Sequence, residues 1–377
     1  MTPSPQTDYL STLEKVISEV IAPQATEIDR TGAFPRPAIE ALGKAGLLGL
    51  VSSTEVGGLG LGIRAATEVV ERIARECAST AMVVCMHYSA AAVIEAHGPR
   101  EVRQAIAAGR HLTTLAFSEA SSRSHFWAPS STAVKNNGHI QLDAQKSFAT
   151  SAGQADSYVW SSRPLAAEGL STLWLVSKDT KGLTIPTPFN GLGLRGNASS
   201  PITAVGVKVP ETAMMGTDGG GFDIMMSIVL PYFQLISAGV SVGIMQATTT
   251  KAAAHVSGAK LEHLTQSLAD LPTIRAYIAR MRIKTDMAHA LLLDSLNAIE
   301  GGRADAMLRV LEVKAATAEA ATEVTDTAMR ICGGAAFRAD VGVERHFRDA
   351  RASTVMSPTT DLLYDFIGKA VCGLPLF

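Results

Sequence analysis

His87 stands in the run VVCMHYSAA, on a stretch that is apolar and helical in its spacing. An imidazole titrates near neutrality, so a histidine facing a cavity from such a helix is a candidate proton donor or acceptor. Facing the core instead, it would be a satisfied structural residue, the commoner fate of a lone histidine on an apolar helix. Further along, Gly333 and Gly334 in RICGGAAFRAD make a turn whose backbone N–H groups can approach a phosphate. Alone, such a pair reads more readily as a structural turn. The glycine-rich loop VGGLGLG at residues 56–62 resembles a phosphate cradle only superficially, because no strand plainly precedes it. No spacing of His, Cys and carboxylates suggests a metal. Met214, Met215, Met225 and Met226 read as core filler. Glu262-His263 and residues 344–346 read as surface pairs.

The bulk numbers narrow the setting of this chemistry. A chain of 377 residues that is 47% hydrophobic can bury a large core and should hold two or three domains. Charged residues make up 18% and the formal net charge is −2, which argues against electrostatic capture of nucleic acid or of an anionic membrane surface. No stretch reads as the ~18 uncharged apolar residues of a membrane span. The start, MTPSPQTDYL, lacks a basic segment leading into an apolar one, so no signal peptide is expected. Cys77, Cys85, Cys332 and Cys372 are scattered, without a C-x-x-C, and are expected to be reduced core thiols of a cytoplasmic protein.

The elements that must position these residues fall into three blocks. Residues 9–31 carry apolar side chains at helical spacing, residues 37–46 are a second helix, and residues 64–77 and 79–97 complete a helical layer. From His111 the character changes. Residues 112–117, 139–142, 157–161, 172–176, 183–186 and 202–209 are short and β-rich, bounded by Gly, Pro, Asn and Ser. From Phe222 long Ala-rich helices return, at residues 235–255, 272–300, 304–330 and 360–371, with Gly301-Gly302 as a helix–helix turn. The chain is therefore read as mainly α with a central β-domain. Its parts are an N-terminal helical domain (1–111), a middle β-domain (112–215) and a C-terminal helical bundle (216–377).

That order, and several motifs along it, resembles the acyl-CoA dehydrogenase family. The family carries a Gly-Gly turn, an Arg-Asp-Ala segment and then the tripeptide Glu-Gly-Thr. Here the turn is Gly333-Gly334, the segment is Arg348-Asp349-Ala350 and the tripeptide is Ser357-Pro358-Thr359. LAFSEASSRSHFWAPSSTAV and QKSFATSAGQADSYVWSS are similar to the family's two flavin-contact segments, with Glu119 at its acidic position. The resemblance implies a middle β-barrel-like domain, a C-terminal four-helix bundle and a homo-oligomer, commonly a tetramer. It implies FAD as cofactor, with FMN as an alternative. Matching the motifs puts Phe117, Ser118, Ser124, Phe148 and Thr150 at the flavin, and adds Arg330, Gly333, Gly334, Thr359 and Asp361 from the C-terminal run, serving the flavin across a subunit interface. An aromatic wall from Phe148 and a hydroxyl from Thr150 are what an isoalloxazine ring needs. Arg123, His125, Phe233, Gln234 and Met356 are matched to the substrate side.

The departures concern chemistry. The family's usual base is the tripeptide Glu, and its position is Ser357, whose hydroxyl needs an adjacent base to act. The family's other site for that Glu is matched by Phe233, and its CoA-contacting Asp and Arg by Pro231 and Gln234. An Arg-x-x-Phe-Gly motif usual in the family is missing after Gln246, where Lys260, His255 or Arg275 are the available cations. His87 and Ser357 are thus the candidate catalytic residues, and His87→Ala is expected to cost at least about tenfold in turnover. The first reading is an FAD-dependent oxidoreductase that oxidises an acyl thioester or related hydrophobic substrate by hydride transfer to flavin. It uses a non-standard base and passes electrons to an electron-transfer flavoprotein. The alternative is a two-component flavin-dependent monooxygenase that uses O2 and reduced flavin from a flavin reductase. A third is a catalytically retired flavoprotein used for binding.

Overall fold

The structure is a computed structural model that describes residues 5–261, 263 and 265–376. The N-terminal helices are α1 (Pro5–Val16), α2 (Ala22–Thr31), α3 (Arg36–Lys44), α4 (Ile63–Glu76), α5 (Ala78–His97) and α6 (Arg100–Ala107), with one π-helical turn joining α1 to α2. In α4 the buried residues Ile63, Ala66, Val70, Ile73 and Ala74 recur at helical spacing and form one stripe. By contrast, α5 is buried almost all round and carries no single apolar face. It lies in the middle of the molecule, against α4, α8 and the first strand.

The middle of the chain folds as two four-stranded sheets. Strands β1 (Thr113–Ala116), β4 (Ser157–Ser162), β5 (Thr172–Ser177) and β8 (Met214–Met215) pair in the order β1-β4-β5-β8. Strands β2 (Thr132–Asn136), β3 (His139–Ala149), β7 (Ser200–Pro210) and β6 (Leu183–Thr184) pair in the order β2-β3-β7-β6. Only β1 and β4 run parallel, with Thr113 opposite Ser157. An isolated bridge between Glu119 and Lys146 joins the chain after β1 to β3.

Beyond a short α7 (Gly221–Ile224) lie α8 (Leu230–Gly258), α9 (Pro272–Glu300), α10 (Ala306–Cys332), α11 (Val343–Ala350), α12 (Ala352–Val355) and α13 (Thr360–Val371). Helices α8, α9 and α10 pack on one another, and α13 packs on α10. Among the described residues, α5 and the helical run containing α8 are long and apolar enough to cross a membrane, contrary to the sequence expectation. The stretch Ile224 to Thr250 does lack Asp, Glu, Lys and Arg. Both helices are core helices: 83% and 89% of their most apolar windows are buried within the protein.

One guanidinium ties the three blocks together. Arg348 on α11 holds both carboxylate oxygens of Asp29 on α2, at 2.9 and 2.6 Å, and also bonds Glu344 at 2.7 Å and the Leu192 carbonyl at 3.1 Å. Its neighbour Asp349 accepts the Leu194 N–H at 2.6 Å. Gly193 lies so close that a Cβ would meet the Arg348 carbonyl oxygen at 2.3 Å, so the loop can dock only with a glycine there. Burial pushes the Asp349 carboxyl up to about 6. The sequence reading of residues 344–346 as a surface pair is corrected: Glu344 does pair outward with Arg348, but His346 is buried, and burial holds it well below the usual imidazole range. Glu262 lies outside the described residues.

Candidate active site

Between the sheets and the C-terminal helices lies a cavity of about 690 Å³, within the range of small-molecule and cofactor sites. Its polar edge comes from the loop after β1 (Ser118, Glu119, Arg123, Ser124) and from the end of β3 (Ser147, Phe148, Thr150). The loop before β7 adds Arg195 and Asn197. The apolar wall is built by Met86, Leu115, Phe117, Val229, Leu230 and Phe233, and a last side is closed by Val355, Met356 and Ser357.

Phe148 is a large apolar side chain that the core does not take up. It is 61% exposed in the cavity mouth, its ring 4.6 Å from that of Phe189 at an angle of 37°. An uncovered aromatic pair beside the hydroxyls of Thr150, Ser118 and Ser124 fits a flat heteroaromatic group with hydrogen-bonding edges. The donor set therefore suits an isoalloxazine. Ser124 also donates to the Thr359 hydroxyl at 3.3 Å, which links this loop to the first residue before α13.

Electrostatics leave the cavity without a free base. Its one carboxylate among the described residues is Glu119. That side chain is 1% exposed and takes the Lys146 ammonium at 2.6 Å, the Ser130 N–H at 2.7 Å and hydroxyl, and the Ser131 hydroxyl. Burial alone would raise its pKa, but Lys146 and these hydroxyls hold it below the usual carboxylate range. Lys146 is itself fully buried and also donates to the Ser161 carbonyl at 2.8 Å. Burial draws its pKa down, against the attraction and hydrogen bond of Glu119, which favour the ammonium. Two cations, Arg123 and Arg195, line the cavity with no carboxylate partner among the described residues. Arg195 Nε is buried without a hydrogen bond, and Arg123 sits at φ 48°.

The sequence-derived residues separate into those the cavity gathers and those it does not. Phe117, Ser118, Arg123, Ser124, Phe148, Thr150, Phe233, Met356 and Ser357 all line it. The Ser357 hydroxyl donates to the Arg123 carbonyl at 3.5 Å, with no titratable side chain bonded to it among the described residues. His87, expected to be catalytic, does not line it. The ring is 0% exposed; its Nε2 meets the Leu48 carbonyl at 2.9 Å and its Nδ1 accepts the Thr113 N–H at 3.2 Å. An N–H facing Nδ1 leaves the proton on Nε2, so this is a neutral imidazole that ties α5 to β1 through Nδ1 and to the turn after α3 through Nε2. Its neighbour Met86 is the side chain that reaches the cavity. Gln234, matched to the substrate side, is 0% exposed, lies outside the cavity lining, and neither amide atom has a partner. His125 is exposed and stands edge-on to Trp127 at 5.2 Å instead of facing the cavity. Gly333, Gly334, Arg330 and Asp361 are exposed and outside the lining, with Arg330 stacked over Tyr277 at 5.3 Å. Three cysteines are buried, but Cys372 is exposed. Among the described residues no cluster suited to a metal occurs. Arg195 and Lys314 were missed from the sequence.

The neutral state of His87 has a measurable consequence. Burial lowers its pKa from 6.5 to about 4. Below pH 6.5 the unfolded chain binds a proton there that the folded chain refuses until about pH 4, so stability falls as pH drops through that window, by roughly 3 kcal/mol. His87→Ala should therefore flatten the acid limb between pH 6.5 and 4 while lowering stability at pH 7 by about 2 kcal/mol, from the two backbone groups left unpaired. Turnover per folded, cofactor-loaded molecule should change by less than about twofold. Urea titrations across pH, with kinetics on the same samples, check all three.

Comparison with known proteins agrees with this architecture. Residues 4–109 match the family model described as acyl-CoA dehydrogenase, N-terminal domain; residues 114–207 match the middle domain and residues 219–372 the C-terminal domain. The chain is 26% identical over 370 residues to cyclohex-1-ene-1-carbonyl-CoA dehydrogenase of Geobacter metallireducens, covering 96% of each protein. The solved butyryl-CoA dehydrogenase from Megasphaera elsdenii shares the fold, with a TM-score of 0.91, 22% identity and 99% of each chain covered. So does KijD3, solved in complex with FMN and a dTDP-linked amino sugar, with a TM-score of 0.87, 22% identity, and 100% of this chain and 95% of that one covered.

Proposed function

From a chain that belongs to the acyl-CoA dehydrogenase family, we infer a flavin-dependent oxidoreductase that oxidises a hydrophobic acyl thioester or related carbonyl compound in this cavity. The carrying observation is the uncovered face of Phe148 in an apolar cavity whose one carboxylate among the described residues, Glu119, is locked to Lys146. We assign FAD as the cofactor, with FMN as the alternative. When bound, it supplies the two-electron acceptor.

The protein's own groups supply placement. Phe148 and Phe189 offer flat faces, and the hydroxyls of Ser118, Ser124 and Thr150 offer hydrogen bonds to the polar edge of a ring system. Val229, Leu230, Phe233 and Met356 keep water from the substrate's hydrocarbon part. Arg123 and Arg195 suit an anionic portion of a ligand. A proton lost from the substrate has no free carboxylate or imidazole to accept it, and in this reading it passes to solvent beside the Ser357 hydroxyl. The same lack of a base favours a second reading, a flavin-dependent monooxygenase, in which a reduced flavin held by these residues would supply the two electrons that let one oxygen atom of O2 go to the substrate and the other leave as water. A reductase then replaces the electron-transfer flavoprotein as partner.

We further propose a homotetramer in the cytoplasm. Gly333, Gly334, Arg330 and Asp361 serve a neighbouring subunit's site in this arrangement, which accounts for their exposure. Exposed Phe337, Met287 and Val371 supply apolar surface for assembly. Anaerobic titration of the purified holoenzyme with octanoyl-CoA tests the function directly. Bleaching of the flavin, with slow reoxidation in air, is expected of the dehydrogenase. No bleaching, with rapid consumption of O2 by the chemically reduced holoenzyme, would replace it with the oxygenase. Light scattering of the same sample checks the tetramer.

A further inference from the structure

Lys314 lies on the inner face of α10, and the pattern around it shows why. Val310, Leu311, Thr317, Ala318 and Ala321 are buried at helical spacing, and the lysine falls on the same stripe, 1% exposed. Its Nζ donates to the carbonyl of Met356 at 2.7 Å and to that of Pro358 at 2.6 Å. No carboxylate pairs with it among the described residues. A buried ammonium without a counterion is costly, and a hydrocarbon of equal size would be cheaper there. Burial alone draws its pKa from 10.5 down to about 7.

The two carbonyls it holds bracket Ser357. That residue and Met356 are cavity wall, in the short bent link between α12 and α13. We propose that Lys314 is a positioning residue for the active site: it clamps the Met356–Pro358 link from behind and so fixes the wall that Met356 and Ser357 present to the substrate. The inference rests on reading the cavity as the substrate site. Lys314 touches no substrate itself; it acts through the link.

Hydrogen exchange and kinetics on holo wild type, Lys314→Met and Lys314→Gln test this. In Lys314→Met, amides of residues 352–359 should exchange at least about tenfold faster, while α9 and the sheets are unchanged. The apparent KM for octanoyl-CoA should rise at least about tenfold, with kcat moved less than about threefold and flavin content intact. Lys314→Gln, which keeps N–H donors, should recover part of both effects. Unchanged exchange in 352–359, or faster exchange spread over the whole bundle, would overturn the clamp. If wild type ignores octanoyl-CoA, the thioester reading fails, yet the exchange result still decides for or against Lys314.

Discussion

Replacing Lys146 with methionine is expected to destabilise the protein by about 3–5 kcal/mol, the usual cost of removing one partner from a buried ion pair. The substitution nearly preserves volume, so the loss is electrostatic. Glu119 would keep its hydroxyl donors but lose the one cation in contact, and the Ser161 carbonyl and hydroxyl would lose theirs. These groups join the chain after β1, β3 and β4, so the damage falls where the two sheets meet. The ring of Trp160, 5.0 Å from the ammonium, would lose its cation as well. Urea denaturation should show a lower midpoint, with wild type and variant compared as apoproteins because a bound cofactor adds stability of its own. Pairing Lys146→Met with Glu119→Gln should recover part of the loss, since the orphaned charge is then gone. A single variant within about 1 kcal/mol of wild type would mean that the pair is not desolvated as described.

Ser357→Glu is expected to accelerate α-proton removal from octanoyl-CoA by about 10²–10⁴-fold, the contribution of a positioned general base. Ser357 already faces the cavity, between an apolar wall and the loop carrying Arg123. A glutamate there adds one methylene of reach and an unpaired carboxylate, which Glu119, locked to Lys146, does not supply. Its surroundings are apolar, so its pKa should rise above the ordinary glutamate value. The base form is required, so the gained activity should be lost as pH falls through that raised pKa and be full above it. Deuterium uptake at the α-carbon in D2O measures the step apart from any later electron transfer. A folded, flavin-loaded variant with no acceleration would show that thioester substrates do not place their α-carbon at this wall.

Much of this was legible in the sequence, for reasons that can be given residue by residue. Helices α9 and α13 end where their apolar spacing and bounding residues ended, at Pro272–Glu300 and Thr360–Val371. β2 went unread because it is an exposed edge strand with one buried side chain, Ala133, and so carries little apolar alternation. α11 went unread for the opposite reason. Its buried face includes Arg345, His346 and Asp349, so the polarity pattern hides a helix whose inner side is charged. At the site, motif matching found the cavity loops but could not distinguish His87 from Met86. Neighbours on a helix point about 100° apart, and on an all-buried helix no polar face shows which one meets the cavity. Lys314 escaped because a lysine in an Ala-rich helix is ordinarily solvated; only the stripe of buried neighbours betrays it.

The Arg348 contacts bear on how the molecule comes into being. Asp29, Leu192 and Leu194 meet their partners only once residues 348 and 349 exist. Cavity residues likewise run from Met86 to Ser357. During synthesis the helices and sheets of the first two blocks emerge well before the groups that lock them together, exposing Phe148 and the rest of the half-built wall in the meantime. The nascent chain therefore has no complete site until Ser357 has left the ribosome. A flavin can find the complete cavity only after the strands of the middle block and the link at Met356 and Ser357 have come together.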